Sequence, residues 1–256
     1  MITVPNEILA LASQGFWHGA IVFLRTSALV SVLPAFGERT VPMRVKLGVA
    51  VAFTVIVAPA VAPMSPHADL LRIAQLAVSE IVIGLAFGMA IRLFVLALQT
   101  AGAIAAQATS LSQLLGGGLE EPSAAMGHVL VVSGLALAVG FGLHVRAAEL
   151  VVYSYDLFPA GRFPSGDLLS AWGLSRVSHA FGLAFTLAAP FVIASLIYNL
   201  TLGVINRAMP QLMVAFVGAP AITLGGLFIL CVSAPMILTA WHGAFTAFFI
   251  DPTRVP

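Results

Sequence analysis

The sequence predicts an all-α integral membrane protein built from about six long hydrophobic helices. Of its 256 residues, 60% are hydrophobic and only 8% are charged, and the mean hydropathy is +1.06. A water-soluble globule of this composition would have too little polar surface to cover itself. The apolar runs are long enough for spanning helices of about 20 residues. The alternation of polar and apolar residues that is typical of a membrane β-barrel is absent.

The apolar runs are separated by prolines or by charged loops, and they form one membrane domain over 1–256: 8–33, 47–62, 70–106, 123–155, 176–205 and 214–250. The first run is interrupted by Arg25 and stops before Pro34, and the second is short and ends where two prolines follow. The third is far longer than one crossing requires, which predicts tilt, a kink or protrusion beyond the lipid.

The last three runs follow the loop Gly-Gly-Gly-Leu-Glu-Glu-Pro and the polar connection 156–173. The fifth contains Pro190, and the sixth contains Pro220 and Pro235 before it ends at Asp251. The architecture predicted from these runs is a set of tilted or broken helical hairpins.

Charge and composition exclude several classes of function. The net charge is +1 and Lys46 is the only lysine, so we expect no nucleic-acid partner and no polybasic lipid-binding cluster. The six histidines lack the spacing that places two metal ligands on one helix face, and the lone Cys231 has no disulfide partner. Neither a phosphate-binding loop with its lysine nor a GxSxG motif occurs. We therefore expect no metal, no cofactor and no enzymatic activity.

Orientation in the membrane follows only weakly from the charges. The loops on the two sides of the membrane carry equal numbers of basic residues. Three of these residues, Arg39, Arg44 and Lys46, lie together in the first loop. Early short loops tend to dominate orientation, so this loop is expected in the cytoplasm.

Glu80 and Arg92 are charges inside the long third run. On one helix they lie about 18 Å apart and out of phase, so they cannot pair with each other. They indicate either an ion or proton relay or, as we prefer, interhelical ion pairs and interfacial side chains, with neighbouring subunits supplying some partners. Small residues at four-residue spacing, Gly84 with Gly88 and Gly134 with Ala138, indicate faces where helix backbones approach closely.

Two segments carry a family resemblance: VLPAFGERTVPMRVKLGVA, 32–50, and YNLTLGVINRAMPQLMVAFVGAPAITLGGLFIL, 198–230. Their proline-aromatic turn, their Val-Pro-x-Arg-x-Lys stretch and their Asn206-Arg207 followed by Pro210-Gln211 resemble the FliR family. This is the flagellar branch of a type III secretion export-gate subunit that injectisomes share. One departure is Met213, where many relatives have asparagine.

The resemblance implies a core subunit of the flagellar export gate in the bacterial inner membrane, at the flagellar basal body. One copy would join several FliP-like and FliQ-like subunits in a cone-like assembly that passes unfolded flagellar substrates. FlhB-like and FlhA-like export components would be further partners, besides membrane lipid. In this setting Glu80, Arg92, Arg207, Pro210 and Gln211 become candidate subunit contacts.

The resemblance also gives a role to the segment 107–122, which is similar to the family's plug. Glycines allow the backbone to move, leucines can seal against apolar neighbours, and the carboxylates need water. The predicted gate residues are Leu111, Leu114, Leu115, Gly116, Gly117, Gly118, Leu119, Glu120 and Glu121. A plain solvent-exposed loop is the alternative for this segment.

Other functions remain open at this stage. An injectisome gate subunit would have the same chemistry, a small-solute secondary transporter predicts internal repeats and broken helices, and an intramembrane enzyme predicts a catalytic pair. We find no convincing repeat between the halves of the sequence.

Overall fold

A computed structural model describes residues 6–64, 69–110, 123–209 and 214–254. These residues form seven α-helices and one 3₁₀ turn, and none of them lies in a strand. The elements are α1 Asn6–Val32, α2 Met43–Val57, the turn Ala58–Ala60, α3 Leu70–Ser110, α4 Ser123–Gly140, α5 Leu143–Leu157, α6 Gly166–Ala208 and α7 Val214–Ile250. Within them, five helices are long and apolar enough to cross a membrane, and six if α4 and α5 count as one broken span. The prediction of an all-α integral membrane protein is confirmed.

Three of the differences between the helix bounds and the apolar runs affect the architecture. α3 continues to Ser110, so the first four residues of the expected loop 107–122 are helical. α6 begins at Gly166, inside the expected polar connection, because Asp167 in its first turn suits the positive end of the helix dipole. The fourth run is not one helix: Gly142 adopts a left-handed φ of 81°, which glycine tolerates, and this residue separates α4 from α5.

The chain divides into two units, which we describe separately. The first comprises residues 1–92, 139–175 and 255, and thus contains α1, α2, α5, the first part of α3 and the start of α6. Here α2 runs antiparallel to α1, since Thr54 hydrogen-bonds Thr26 at 2.8 Å and the Ala58 carbonyl lies 2.8 Å from His18 Nε2.

Within the same unit α3 runs parallel to α1. A Cβ added to Gly84 would collide with the Arg25 carbonyl and Ala28, and one added to Gly88 would collide with Val32 and Leu29. Only a residue without a side chain allows the two backbones to come this close. The expectation that Gly84 and Gly88 mark a helix contact is confirmed.

The second unit comprises residues 93–138, 176–254 and 256. Its α3 and α4 backbones touch at Gly102 and Gly127. Gly134 faces the side chain of Leu98, and Ala138 is buried. The fully buried Trp241 of α7 donates its indole N–H to the Phe94 carbonyl at 2.8 Å, which satisfies its polar atom inside an aromatic cluster.

Candidate functional site

A buried ion pair between α1 and α3 is the centre of the first unit. Arg25 Nε lies 2.8 Å from Glu80 Oε2, and Arg25 Nη2 lies 3.0 Å from Glu80 Oε1. Both side chains are almost entirely buried, with 1% and 0% of their surfaces exposed. The parallel packing at Gly84, one helical turn beyond Glu80, brings the two side chains to the same level.

Helix α5 supplies the remaining partners of this pair. The guanidinium lies over the Tyr155 ring, 3.6 Å from its centre, and the tyrosine hydroxyl donates to Glu80 Oε2 at 3.0 Å. Arg25 Nη1 donates to Ser154 Oγ at 2.9 Å. The cation thus has a carboxylate, an aromatic face and a hydroxyl as neighbours, which together offset its desolvation.

The pair also holds the irregular backbone after α5. Arg25 Nη2 donates to the Phe158 carbonyl at 3.0 Å, and the Gly161 N–H donates to Glu80 Oε1 at 3.4 Å. Gly161 takes a left-handed φ of 75°, which turns its N–H toward the carboxylate. The side chains of Arg25 and Glu80 therefore supply hydrogen-bond partners to backbone groups that lie outside the helices.

We call Arg25, Glu80, Ser154 and Tyr155, with the backbone of Phe158 and Gly161, the buried polar cluster. Four of the five guanidinium N–H donors have acceptors within it, and both carboxylate oxygens accept hydrogen bonds. These hydrogen bonds tie α1, α3 and the end of α5 to one another. Its chemistry is that of a fixed joint between helices.

Sequence reasoning found only part of this cluster. Glu80 was expected to pair between helices, and it does, but its partner comes from the same chain and not from another subunit. The expectation of an interhelical ion pair is thus confirmed for Glu80, because α3 packs parallel to α1 and places the carboxylate beside Arg25. Arg25 was treated as an interruption of the first run, although an arginine in an apolar helix is itself the signal for such a site.

Arg92 belongs to a second, partly exposed polar group where α1 ends. Its Nη2 lies 3.7 Å from Glu38 Oε2, and its Nη1 lies 3.4 Å from the Val32 carbonyl. Both side chains of the ion pair are about one-third exposed. The residue before Glu38 is Gly37, whose carbonyl accepts a hydrogen bond of 2.9 Å from Lys46 Nζ.

In the second unit, Arg176 holds the segment that follows α7. Its Nη2 donates to the Pro252 carbonyl at 3.1 Å and to the Arg254 carbonyl, and its guanidinium lies 5.2 Å from the centre of the Phe248 ring. Asp251 folds the segment by accepting hydrogen bonds from the Thr253 hydroxyl, the Arg254 N–H and the Thr253 N–H. The hydroxyl bond from Thr253, followed by the backbone bonds, holds the pKa of Asp251 below its usual range.

The predicted gate residues Leu111, Leu114, Leu115, Gly116, Gly117, Gly118, Leu119, Glu120 and Glu121 lie outside the described residues, as do Pro210 and Gln211. Arg207 lies in the last turn of α6 with its side chain exposed. A cation there is favourable because the carboxyl end of a helix carries partial negative charge.

One cavity of about 130 Å³ lies between α6 and α7 in the second unit. It is lined almost entirely by apolar and small residues, with Ser195 and Tyr198 as its polar side chains. No group of three or more His, Cys, Asp or Glu side chains within the described ranges is placed to hold a metal ion.

Comparison with known proteins gives a family match over most of the chain. The family described as bacterial export proteins, family 1, matches residues 16–248, a range that contains the whole buried polar cluster. The flagellar biosynthetic protein FliR of Caulobacter vibrioides is 33% identical over 226 residues, which cover 87% of this chain and 90% of that protein.

Two further relatives carry the same name. The protein of Escherichia coli K12 is 29% identical over 259 residues, covering 97% of this chain and 95% of that protein. The protein of Bacillus subtilis 168 is 28% identical over 210 residues, covering 78% of this chain and 79% of that protein. The similarity thus extends over nearly the full length of both chains in the first pair and over more than three quarters of both chains in the second.

Proposed function

Because this chain belongs to the bacterial export proteins, family 1, we propose that it is a core subunit of the flagellar type III protein export gate. The observation that carries the proposal is the near end-to-end match to proteins named for flagellar biosynthesis. It is a membrane-embedded component of flagellar export. Its place is the bacterial inner membrane at the flagellar basal body, where FliP-like and FliQ-like subunits join it to form the conduit.

The unequal burial of the helices supports a place within a larger assembly. In the apolar windows of α2, α6 and α7, 17%, 28% and 28% of the residues are buried, whereas 56% are buried in α3. The outward faces of α2, α6 and α7 are apolar and extensive. Lipid and neighbouring helices are the surroundings that such faces fit.

The gate in this proposal is the segment between α3 and α4, whose residues Leu111 to Glu121 lie outside the described ranges. The segment joins two helices that pack against each other, since their backbones touch at Gly102 and Gly127. The leucines would exclude water, and the glycines would let the segment move aside for a polypeptide.

The chain has a structural and conducting role in this proposal, without catalysis. FlhB-like and FlhA-like components would deliver unfolded flagellar substrates to it. The relatives named above are flagellar, which favours the flagellar over the injectisome system. A small-solute transporter would combine broken helices with internal repeats, and no convincing repeat in the sequence accompanies the break at Gly142 between α4 and α5.

Co-purification and complementation test the proposal. A tagged chain, expressed with the FliP-like and FliQ-like proteins of its own organism, should purify in detergent as one discrete complex. Deleting its gene should abolish motility and secretion of flagellar substrates, and the full chain should restore both. A monodisperse chain that binds neither protein, or a deletion strain that secretes normally, would contradict the proposal.

A further inference from the structure

The turn between α1 and α2 gathers more positive charge than the sequence order suggests. Arg39 and Arg44 are exposed on this turn and on the first turn of α2, and Lys46 lies beside them. The fold adds Arg92, more than 40 positions away in the chain, through its ion pair with Glu38. Four cations and one carboxylate thus lie on or beside the turn 37–46. From the sequence alone, no polybasic lipid-binding cluster was expected.

These four cations are not equivalent. Lys46 donates to the Gly37 carbonyl and so stabilises the turn, and Arg92 is bound to Glu38 and the Val32 carbonyl. The side chains of Arg39 and Arg44 make no hydrogen bond or ion pair with any residue that the structure describes, and both are exposed. The charge that is free to meet a ligand therefore belongs to Arg39 and Arg44.

The neighbouring surface of α2 is apolar and equally exposed. The side chains concerned are 47–77% exposed: Met43, Val45, Leu47, Val51, Val55 and Ile56. Both helices joined by the turn are apolar enough to cross a membrane. A turn between two such helices is expected where a span meets the aqueous side. Cations at that level, continuous with an apolar face, match a lipid that combines a negative headgroup with acyl chains.

We propose that Arg39 and Arg44, with the apolar face of α2, bind anionic phospholipids of the surrounding leaflet. The headgroup phosphate lies against the two guanidinium groups, and the acyl chains run along α2. Arginine suits this task because its planar donors bind a phosphate at two points. The pairing of Arg92 with Glu38 prevents that carboxylate from repelling the phosphate.

The test uses the full chain purified in a neutral detergent. Phosphatidylglycerol or phosphatidylcholine is titrated in mixed micelles, and the thermal unfolding midpoint gives the apparent affinity for each lipid. The test variant is Arg39→Gln with Arg44→Gln. The matched control is Arg72→Gln with Arg162→Gln, which removes the same charge from exposed positions elsewhere.

The thermal unfolding midpoints of wild type and control should rise with phosphatidylglycerol but not with phosphatidylcholine. This rise should become smaller with added salt. The test variant should unfold like wild type in phosphatidylcholine, which shows that it folds. Its apparent affinity for phosphatidylglycerol should fall about thirtyfold, since two basic residues near an anionic surface together contribute roughly 2 kcal/mol and each 1.4 kcal/mol is about a factor of ten.

Three results would overturn the proposal. In the first, the test variant responds to phosphatidylglycerol like wild type, or the control loses as much. In the second, inorganic phosphate alone reproduces the rise. In the third, the variant keeps its lipid response but no longer co-purifies with the FliP-like and FliQ-like subunits, which would assign the surface to an acidic protein partner.

Discussion

Arg25 and Glu80, 55 positions apart, form a two-point ion pair with nitrogen–oxygen distances of 2.8 and 3.0 Å. Both are buried, so each depends on the other for its solvation. Glu80→Gln leaves the guanidinium without its counter-charge and should lower the free energy of unfolding by about 3–5 kcal/mol. Denaturant unfolding in detergent measures this change.

The matched variants for that experiment separate charge from geometry. Tyr155→Phe removes one hydroxyl donor and should cost about 1–2 kcal/mol, well below Glu80→Gln. Arg25→Met combined with Glu80→Leu removes both charges and should recover part of the loss. If Glu80→Gln and Tyr155→Phe cost the same, the ion pair does not stabilise the fold as described.

The close approach of Gly84 to α1 can be tested by a single substitution. Gly84→Ala places a methyl group against the Arg25 carbonyl and Ala28 and should destabilise the protein by about 1–3 kcal/mol. Gly182→Ala is the control, because its Cβ would meet no atom within 4 Å, and it should be neutral or stabilise α6. Thermal unfolding of both variants decides the matter, and equal shifts would refute the close approach.

For the gate segment the proposed function makes a prediction with two arms. Deleting 114–119 should leave assembly intact and let ions leak through the resting complex, because the sealing leucines are lost. Replacing Gly116, Gly117 and Gly118 by alanine should slow secretion without a leak, because the seal remains while the backbone stiffens. Conductance in planar bilayers and secretion assays measure the two effects. Wild-type behaviour in both arms would make the segment a simple connector.

Arg207 is expected to contact a partner subunit from the exposed end of α6. If that contact is a two-point bond to a carboxylate, Arg207→Lys should impair motility nearly as much as Arg207→Ala. Arg162→Ala, which also removes an exposed arginine, serves as the control. A fully motile Arg207→Lys strain would instead make this residue a topological anchor.

The segment after α7 should loosen when either Arg176 or Asp251 loses its charge. The folded pKa of Asp251 is lowered, so the stability it contributes is present above the ordinary aspartate pKa and is lost as pH falls through the lower folded value. Arg176→Gln and Asp251→Asn should both speed hydrogen exchange of the C-terminal peptide at neutral pH. Unchanged exchange in both variants would show that these contacts do not order the segment.

The membrane class, the all-α architecture and the Gly84–Gly88 contact could be predicted from the sequence because they depend on composition and on spacing within one helix. The partner of Glu80 could not be predicted, because it depends on whether α3 runs parallel to α1. The break at Gly142 could not be predicted either, because the run 123–155 continues past it without a proline. Glycine allows either a helix or a left-handed turn, and tertiary packing selects between them.

The buried polar cluster also imposes an order on how the protein is made. At a synthesis rate of about 5–20 residues per second, Arg25 leaves the ribosome some 3–11 seconds before Glu80. During that interval its guanidinium has no carboxylate to pair with, and an apolar helix carrying a lone arginine enters hydrocarbon poorly. The first helix is therefore expected to reach its final environment together with the third, and the buried polar cluster is completed only when Tyr155 has been synthesised. An early ribosomal pause or a truncated product would leave an arginine-bearing helix at the membrane surface, open to quality-control proteases.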